Sequence, residues 1–308
     1  MQGNVDVSVI IPIFNEAENL ARLYAHLTKT LESLQYELCF VDDGSTDTSY
    51  HTLVDLHATD PRVKVIRLAG NFGQHAALSA GIEHATGQIL VSFDADLQND
   101  PQDILKLVAK IDEGHDVVSG WRVGRKGGLF TRRLPSWLAN KSIALMTGAR
   151  LHDATCPLKA VRREVAQNLA SYGEMRRFLG ALVLQLGRSI GEVQVSHRPR
   201  MEGHSKYSFL DLMGGYIDFI TAFWPRPFQL VTVLGILCLL AGFLGGVLYL
   251  ILRFPAGVAP GLRSQAVVFI LVFVGFQFVI LGLLGEFIAR IYRLVQNRPL
   301  FVIREILE

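Results

Sequence analysis

Asp94, Asp96 and Gln98 lie in the stretch "ILVSFDADLQND", residues 89–100. An apolar run ends there in two carboxylates one residue apart, and an amide oxygen follows two residues on. In an extended strand Asp94 and Asp96 point the same way, about 6–7 Å apart, and a bend at the strand end brings them closer. Two carboxylates and an amide form a hard, all-oxygen donor set. Such a set suits Mg2+ or Mn2+, which take few protein ligands and fill their shell with water and phosphate oxygens. A cation held this way neutralises a diphosphate leaving group. The competing use of the same residues is capping, because Asp, Asn and Gln at a strand-to-helix turn also satisfy backbone amides.

Further polar groups recur along the chain. Asp42 and Asp43, in "VDDGSTDTS", are placed to accept from a base or ribose, or to cap the next helix. Arg122, Arg125, Arg132, Arg133, Arg200 and Lys206 form a basic set in loops. Each alone is more often a solvated surface charge, but arginine's planar fork matches phosphate geometry. His75, in "NFGQHAA", reads as a phosphate contact at a helix start or as a polar turn residue. Cys156 has no activating neighbour in sequence, so it is not assigned as a nucleophile. Cys39, Cys156 and Cys238 show neither metal-site spacing nor a disulfide framework, and they read as reduced thiols facing a cytosol.

The elements that must hold these residues alternate. "VSVIIPIF" is a short apolar run. "NEAENLARLYAHLTKTLESL" carries Leu20, Leu23, Leu27, Leu31 and Leu34 at helical spacing, with Asn15 as the expected N-cap and Glu16 and Glu18 in the first turn. "YELCFV" and "VKVIRLA" read as strands, "ALSAGIEHA" as a helix and "QILVSFD" as the fourth strand. "PQDILKLVAKIDEG" reads as a helix, "DVVSG" as the fifth strand and "GEVQVSHRPR" as a later one. This order implies an α/β fold with a mostly parallel sheet covered on both faces. Ligands bind such sheets beyond the carboxyl ends of strands. The polar clusters fall there: "NEAEN" after strand one, "DDGSTD" after two, "NFG" (Asn71 to Gly73) after three and "DADLQ" after four. Neither G-x-G-x-x-G after strand one nor G-x-x-x-x-G-K-[ST] occurs, which disfavours a dinucleotide oxidoreductase and a P-loop NTPase.

The rest of the chain has a different character. It has 308 residues, half of them hydrophobic, a net charge of +2 and a mean hydropathy of +0.31. The charge is too small for a nucleic-acid binder. The apolar excess lies mostly after Phe228. Residues 228–252 and 266–285 contain no charge, and each is long enough to cross a hydrocarbon core, which takes about 20 helical residues. With "RFPAGVAPGLRSQ" as the turn, they imply a hairpin of two transmembrane helices, spanning about 228–252 and 266–288. Arg226, Arg290, Arg293, Arg298 and Arg304 flank its open end, against Arg253 and Arg263 at the turn. That bias places both termini and the large domain in the cytoplasm. Trp224, Tyr249 and Tyr292 sit where interface anchors belong, and Glu286 pairs with Arg290 one turn on. Residues 207–224 are apolar with scattered acids and read as a segment lying along a membrane surface. The N-terminal apolar run breaks at a proline and lacks a basic n-region, so no signal peptide is expected. An acidic metal site and basic loops beside a membrane point to two phosphorylated substrates, one of them lipidic.

"VIIPIFNEAENL", "FVDDGSTD", "NFGQHAALSAGI" and "DADLQNDP" resemble, in order and spacing, the family 2 glycosyltransferases of GT-A fold. "GHSKYSF", the paired apolar runs, "GLLGEFIARIY" and "NRPLFVI" narrow the resemblance to the polyprenyl-phosphate glycosyltransferases. Those include dolichyl-phosphate mannose synthases, bactoprenol glucosyltransferases and undecaprenyl-phosphate 4-deoxy-4-formamido-arabinose transferases. The resemblance implies a GT-A catalytic domain at 1–165, an acceptor-side and juxtamembrane segment at 166–227, the hairpin at 228–288 and a cytoplasmic tail at 289–308. It implies that Pro12, Asn15 and Glu16 line the nucleotide, joined by Asn71 and Gly73, and that Asp42 and Asp43 stand near base and ribose. Asp94, Asp96 and Gln98 match the metal triplet. Arg122, Arg132 or Arg133, Arg200 and Lys206 match basic positions near the acceptor phosphate and the diphosphate. It further implies an inverting transfer from a UDP-sugar rather than a GDP-sugar to undecaprenyl phosphate, Mg2+ or Mn2+, an inner or plasma membrane location and a homotetramer. Two departures stand out: "DATC" (153–156) replaces the usual D-Y-G-C or D-T-G-D near the sugar, and Lys159 replaces a common arginine. The alternatives are a processive polysaccharide synthase, whose Q-x-x-R-W segment is absent, and a non-catalytic scaffold of the same fold.

Overall fold

A computed structural model describes residues 5–123, 151–169, 179–196 and 299–308, with isolated positions at 143–144, 148, 172 and between 273 and 295. The strands are β1 (Val7–Ile13), β2 (Tyr36–Asp42), β3 (Val63–Leu68), β4 (Ile89–Ser92), β5 (Val117–Arg122), β6 (Lys159–Arg162), β7 (Ile190–Val195) and β8 (Ile303–Leu307). The described helices are α1 (Ala17–Thr30), α2 (Ser49–Thr59), α3 (Gln74–His84), α4 (Gln102–Asp112), α5 (Arg163–Gln167) and α6 (Leu179–Leu186).

The strands form one sheet in the order β7-β5-β6-β4-β1-β2-β3-β8. β4, β1, β2 and β3 run parallel, as do β5 and β7, while β6 and β8 are antiparallel to their neighbours. β1 and β2 are apolar on nearly every residue because helices cover both faces. On one face Val7, Val9, Ile11 and Ile13 join Leu20, Leu23 and Leu27 of α1, its C-cap Leu31, and Ile104, Leu107 and Ile111 of α4 in the core. Each fully buried leucine of α1 contributes about 1.5–3 kcal/mol. On the other face α3 lies directly on β1: a Cβ at Gly81 would stand 2.3 Å from Ile10 Cγ2. α5 and α6 share that face, where Ala166 and Leu179 meet Ile82 and Leu90.

Several boundaries differ from the sequence expectation. β4 stops at Ser92, so Asp94 and Asp96 lie in a turn rather than on the strand. The Ser92 hydroxyl donates to the Pro157 carbonyl at 2.6 Å and pins the strand end. β6 and α2 carried no expectation, and Ile303–Leu307, expected within a tail, is the sheet's eighth strand. The sheet therefore continues beyond residue 165 through β7 and β8.

The chain folds as two compact units, Met1–Leu212 with Pro299–Glu308, and Met213–Arg298. The described positions of the second unit are helical, and Phe273, Leu281, Ile288 and Val295 are exposed there. Among the described residues no helix is long and apolar enough to cross a membrane. The expected span 228–252 lies outside the described residues, and so does most of 266–288.

Candidate active site

β2 and β3 lie to one side of β1 and β4 to the other. The order in which strands are added to the sheet reverses there, and such switch points open a crevice at the carboxyl ends of the strands. Pro12 fixes where it opens. The Ile10 carbonyl accepts from Phe93 N–H at 3.0 Å on the β4 side. Residue 12 faces the same side, and proline has no N–H to continue the ladder. β1 and β4 part there, while β1 stays paired with β2 through Ile13.

Beyond β1, Asn15 adopts φ 57°. It is not the N-cap of α1, as spacing implied; Glu16 holds that place and its side chain makes no cap. Asn15 Oδ1 instead accepts from Thr46 N–H at 2.8 Å, from the Thr46 hydroxyl at 3.2 Å and from Asp47 N–H at 3.3 Å. The exposed amides of α1 are met by the next loop: Glu16 N–H donates to Ser49 Oγ at 2.9 Å and Ala17 N–H to Asp47 Oδ2 at 3.3 Å. Burial works against the Asp47 carboxylate, but hydrogen bonds from Ser49 and Ala17 outweigh it and hold its pKa below the usual range. "NEAEN" and "DGSTD" are thus one interlocked structure.

Asp42 is fully buried at the end of β2. Its Oδ1 accepts from Ser45 N–H at 3.1 Å, and its Oδ2 lies 3.6 Å from Arg67 Nε and has no hydrogen bond. Asp43 is committed to the β3–α3 loop: its two oxygens accept from Phe72 N–H at 2.7 Å and Gly73 N–H at 2.9 Å. Burial raises the Asp43 pKa, against the pull of those two amides. Gly44 joins the loops at φ 70°, and a Cβ there would lie 2.6 Å from the Gly70 carbonyl carbon. Asn71 is exposed in the same loop, Gly73 is the N-cap of α3, and His75 is exposed in that helix's first turn rather than in the loop before it.

Asp94, Asp96 and Gln98 are all half-buried in the turn after β4. Asp94 Oδ1 accepts from Gln74 Nε2 at 2.7 Å, and Asp96 Oδ1 accepts from Gln98 N–H at 3.2 Å. Leu97 has φ 57°, a conformation that costs a non-glycine residue about 1 kcal/mol or more and recurs at functional sites. Among the described residues no three His, Cys, Asp or Glu side chains converge as a closed metal cage. Two partly exposed carboxylates beside an amide oxygen fit a cation that completes its shell from water and ligand oxygens.

Arg122 is not free for an anion. Its Nε meets Asp153 Oδ2 at 2.6 Å, and its Nη2 meets Asp153 Oδ1 at 3.0 Å and Thr155 Oγ1 at 3.3 Å. Burial opposes both charges, yet the pairing outweighs it, raising the Arg122 pKa and lowering that of Asp153. Lys159 supports "DATC" from below. Its buried Nζ donates to the carbonyls of Ala154, at 3.1 Å, and Cys156. Burial lowers the Lys159 pKa, with Cys156 and Asp153 pulling the other way. Asp94, just beyond the β4 end that Ser92 ties to Pro157, is the last of the charges that favour the charged forms of Arg122 and Lys159. Cys156 is buried and its thiol pKa is raised by burial, which leaves it inert as a nucleophile. At the rim His152 stacks on Trp121 at 4.1 Å and meets Glu192 at 2.8 Å.

The structure thus brings Pro12, Asn15, Glu16, Asp42, Asp43, Asn71, Gly73, Asp94, Asp96, Gln98 and Arg122 to one end of the sheet. Arg125, Arg132, Arg133, Arg200 and Lys206 lie outside the described residues, as do Glu286 and Arg290. Sequence reasoning missed Asp47, Gln74 and Asp153. Asp153 had a visible signal, an acid within a segment already marked as a departure.

Comparison with known proteins agrees with this architecture. The sequence profile of the family described as "Glycosyl transferase family 2" matches residues 8–170. Glucosyl-3-phosphoglycerate synthase from Mycobacterium tuberculosis, solved with Mg2+ and uridine-diphosphate, is 17% identical. The match covers 71% of this chain and 79% of that one, with a TM-score of 0.51. S. aureus TarS 1-349, solved with UDP-GlcNAc, is 19% identical over 68% of this chain, with a TM-score of 0.48. This chain spans 64% of the length of that TarS chain.

Proposed function

The chain belongs to glycosyl transferase family 2, and on that premise we propose that it transfers a single sugar from a nucleotide diphosphate to a polyprenyl phosphate at the cytoplasmic face of a membrane. The observation that carries this reading is the crevice itself. The interlocked Asn15, Asp42 and Asp43 loops stand on one side of β1, and the Asp94–Gln98 turn stands on the other. A diphosphate donor needs both halves: donors and acceptors for a nucleoside, and hard oxygens for the cation that accompanies its phosphates. The fold neighbour solved with Mg2+ and uridine-diphosphate favours the same arrangement, with UDP as donor.

Asp94 and Asp96, with the Gln98 amide oxygen, would hold Mg2+ or Mn2+, which supplies charge neutralisation at the departing diphosphate. The chain's own residues do the rest. Asn15 and Asp43 fix the loops that line the nucleoside, so little ordering is left to binding. Gln74 orients Asp94 through its 2.7 Å hydrogen bond. Arg122 and Lys159 hold "DATC" in place beside Asp94, so that segment is a built wall in spite of its departure from the relatives. An acceptor phosphate is already ionised near neutral pH. Attack on the sugar, with inversion, therefore needs no general base with a tuned pKa. The basic residues Arg132, Arg133, Arg200 and Lys206 complete this reading as the acceptor side.

The membrane part of the proposal rests on the two uncharged runs after Phe228 and on Phe273, Leu281 and Ile288, which are left exposed in the second unit. Exposed apolar side chains within or beside an uncharged run suit a bilayer. The hairpin, at about 228–252 and 266–288, would bring the lipid headgroup to the catalytic domain, with both termini cytoplasmic and the chain a homotetramer. A titration tests the donor half. UDP binding to the full-length protein should strengthen at least about tenfold with Mg2+ in wild type and not in Asp96→Asn. Equal binding with and without metal would refute it.

A further inference from the structure

β8 joins β3 with Glu305 opposite Arg67, and the register breaks between Arg67 and Leu68, so Arg304 is an extra residue on β8. Such a bulge bends a strand and re-aims the side chains beside it, and bulges occur next to active sites. From this bulge a chain of contacts runs inward. Tyr50, on α2, donates its hydroxyl to Glu305 Oε2 at 2.6 Å. The Arg67 guanidinium lies over the Tyr50 ring, 3.8 Å from its centroid. Arg67 Nε then faces Asp42 Oδ2 across 3.6 Å, and that buried oxygen has no hydrogen bond. Asp42 Oδ1 holds Ser45 N–H, and Ser45 Oγ accepts from Asn15 N–H at 3.1 Å. The last strand is connected in this way to both loops of the nucleoside side.

The gap at Asp42 makes this more than edge packing. A closed guanidinium–carboxylate pair stands at about 2.7–2.9 Å, so this pair is held apart. Arg67 is stacked on the Tyr50 ring, and the ring is tethered to β8 through its hydroxyl. A buried carboxylate responds strongly to the position of its nearest cation. Moving Arg67 therefore changes the hydrogen-bond strength of Asp42 and the set of the loop that Asp42 holds. We propose that Tyr50, Arg67 and Glu305 are positioning residues of the donor site, through which docking of β8 on β3 sets affinity for the nucleotide diphosphate. This rests on the donor reading above and goes beyond it. β8 is the first strand after the second unit in sequence, so a change transmitted along the chain reaches the donor loops at Glu305.

The test is hydrogen exchange and UDP–Mg2+ titration on the full-length protein in detergent, comparing wild type with Glu305→Ala, Tyr50→Phe, Glu305→Gln and Glu308→Ala. Glu305→Ala and Tyr50→Phe each break the tether. Both should speed exchange of the Ser45, Thr46 and Asp47 amides by about threefold or more. Both should weaken UDP in the titration by about threefold to tenfold. Glu305→Gln keeps a carbonyl acceptor for the Tyr50 hydroxyl and should stay near wild type. Glu308→Ala removes only the 3.2 Å pair with Lys64 at the far end of β3 and should leave the donor loop unchanged. If Glu305→Ala frees the β8 amides while Ser45–Asp47 exchange and UDP affinity stay at wild-type values, β8 is an edge cover and the proposal falls. If UDP protects nothing even in wild type, the donor reading falls instead, and the nucleotide-free exchange comparison still decides whether β8 and the loop are coupled.

Discussion

Asp94 and Asp153 are both acids near one crevice, yet their surroundings give them different work. Asp94 is half-buried at the crevice and accepts from Gln74, so solvent and a cation can reach its carboxylate. Asp153 is buried against Arg122 and Thr155, and both its oxygens are engaged by them. Asp96→Asn should therefore cut transfer by at least about a hundredfold while the melting curve stays within about 1 kcal/mol of wild type, measured by radiolabelled product and circular dichroism. Arg122→Ala should act the opposite way. It strands a buried carboxylate and should cost about 3–5 kcal/mol of stability, read from urea denaturation. The sign of its pH dependence follows from the lowered Asp153 pKa. The pair's contribution is fully present above the ordinary aspartate pKa, and it is lost as pH falls through the depressed folded value. Wild type should lose stability across that acid range by more than Arg122→Ala does. The polar turn that carries the metal candidates was legible in sequence because an apolar strand ends abruptly there in acids and an amide. The partner of Arg122 was not, because a charge type shows what a side chain can bind, while its partner stands 31 residues away.

Among the elements, α1 shows what spacing carries. Leu20, Leu23, Leu27 and Leu31 marked the buried face correctly, because burial selects side-chain chemistry at a helical period. The cap was misassigned because the amides of α1 are met by Asp47 and Ser49, some thirty residues on. α2 has only Ser49 and Leu53 fully buried, so it carries little apolar period. β6 and β8 are short antiparallel strands stabilised by partners distant in sequence, which local patterning does not register. The Gly44 turn joins these elements, with its positive φ and no room for a Cβ. Gly44→Ala should cost about 1–3 kcal/mol and weaken UDP binding with it, as thermal denaturation and nucleotide titration on one sample would show. Unchanged stability would mean that the loop's close approach to Gly70 is not maintained in solution.

Across the full chain, a glycosyl transferase family 2 domain is joined to a proposed membrane hairpin and to a last strand that returns to the sheet. Family and sheet order follow from the match over residues 8–170 and from the strand pairing. The hairpin makes its own prediction. Wild type should stay with membranes after alkaline extraction, and a variant lacking 228–288 should be released; release of wild type would remove the membrane role. Everything proposed for the crevice and the hairpin meets in the transfer itself. The deciding experiment is radiolabelled sugar transfer by the purified full-length protein, with undecaprenyl phosphate, Mg2+ and a panel of UDP- and GDP-sugars, with and without EDTA. A lipid-soluble product from a UDP-sugar, lost with EDTA and lost in Asp96→Asn, is the expected result. A folded protein that binds UDP and yields no lipid-soluble product from any donor, or a product indifferent to EDTA, would refute the proposed reaction.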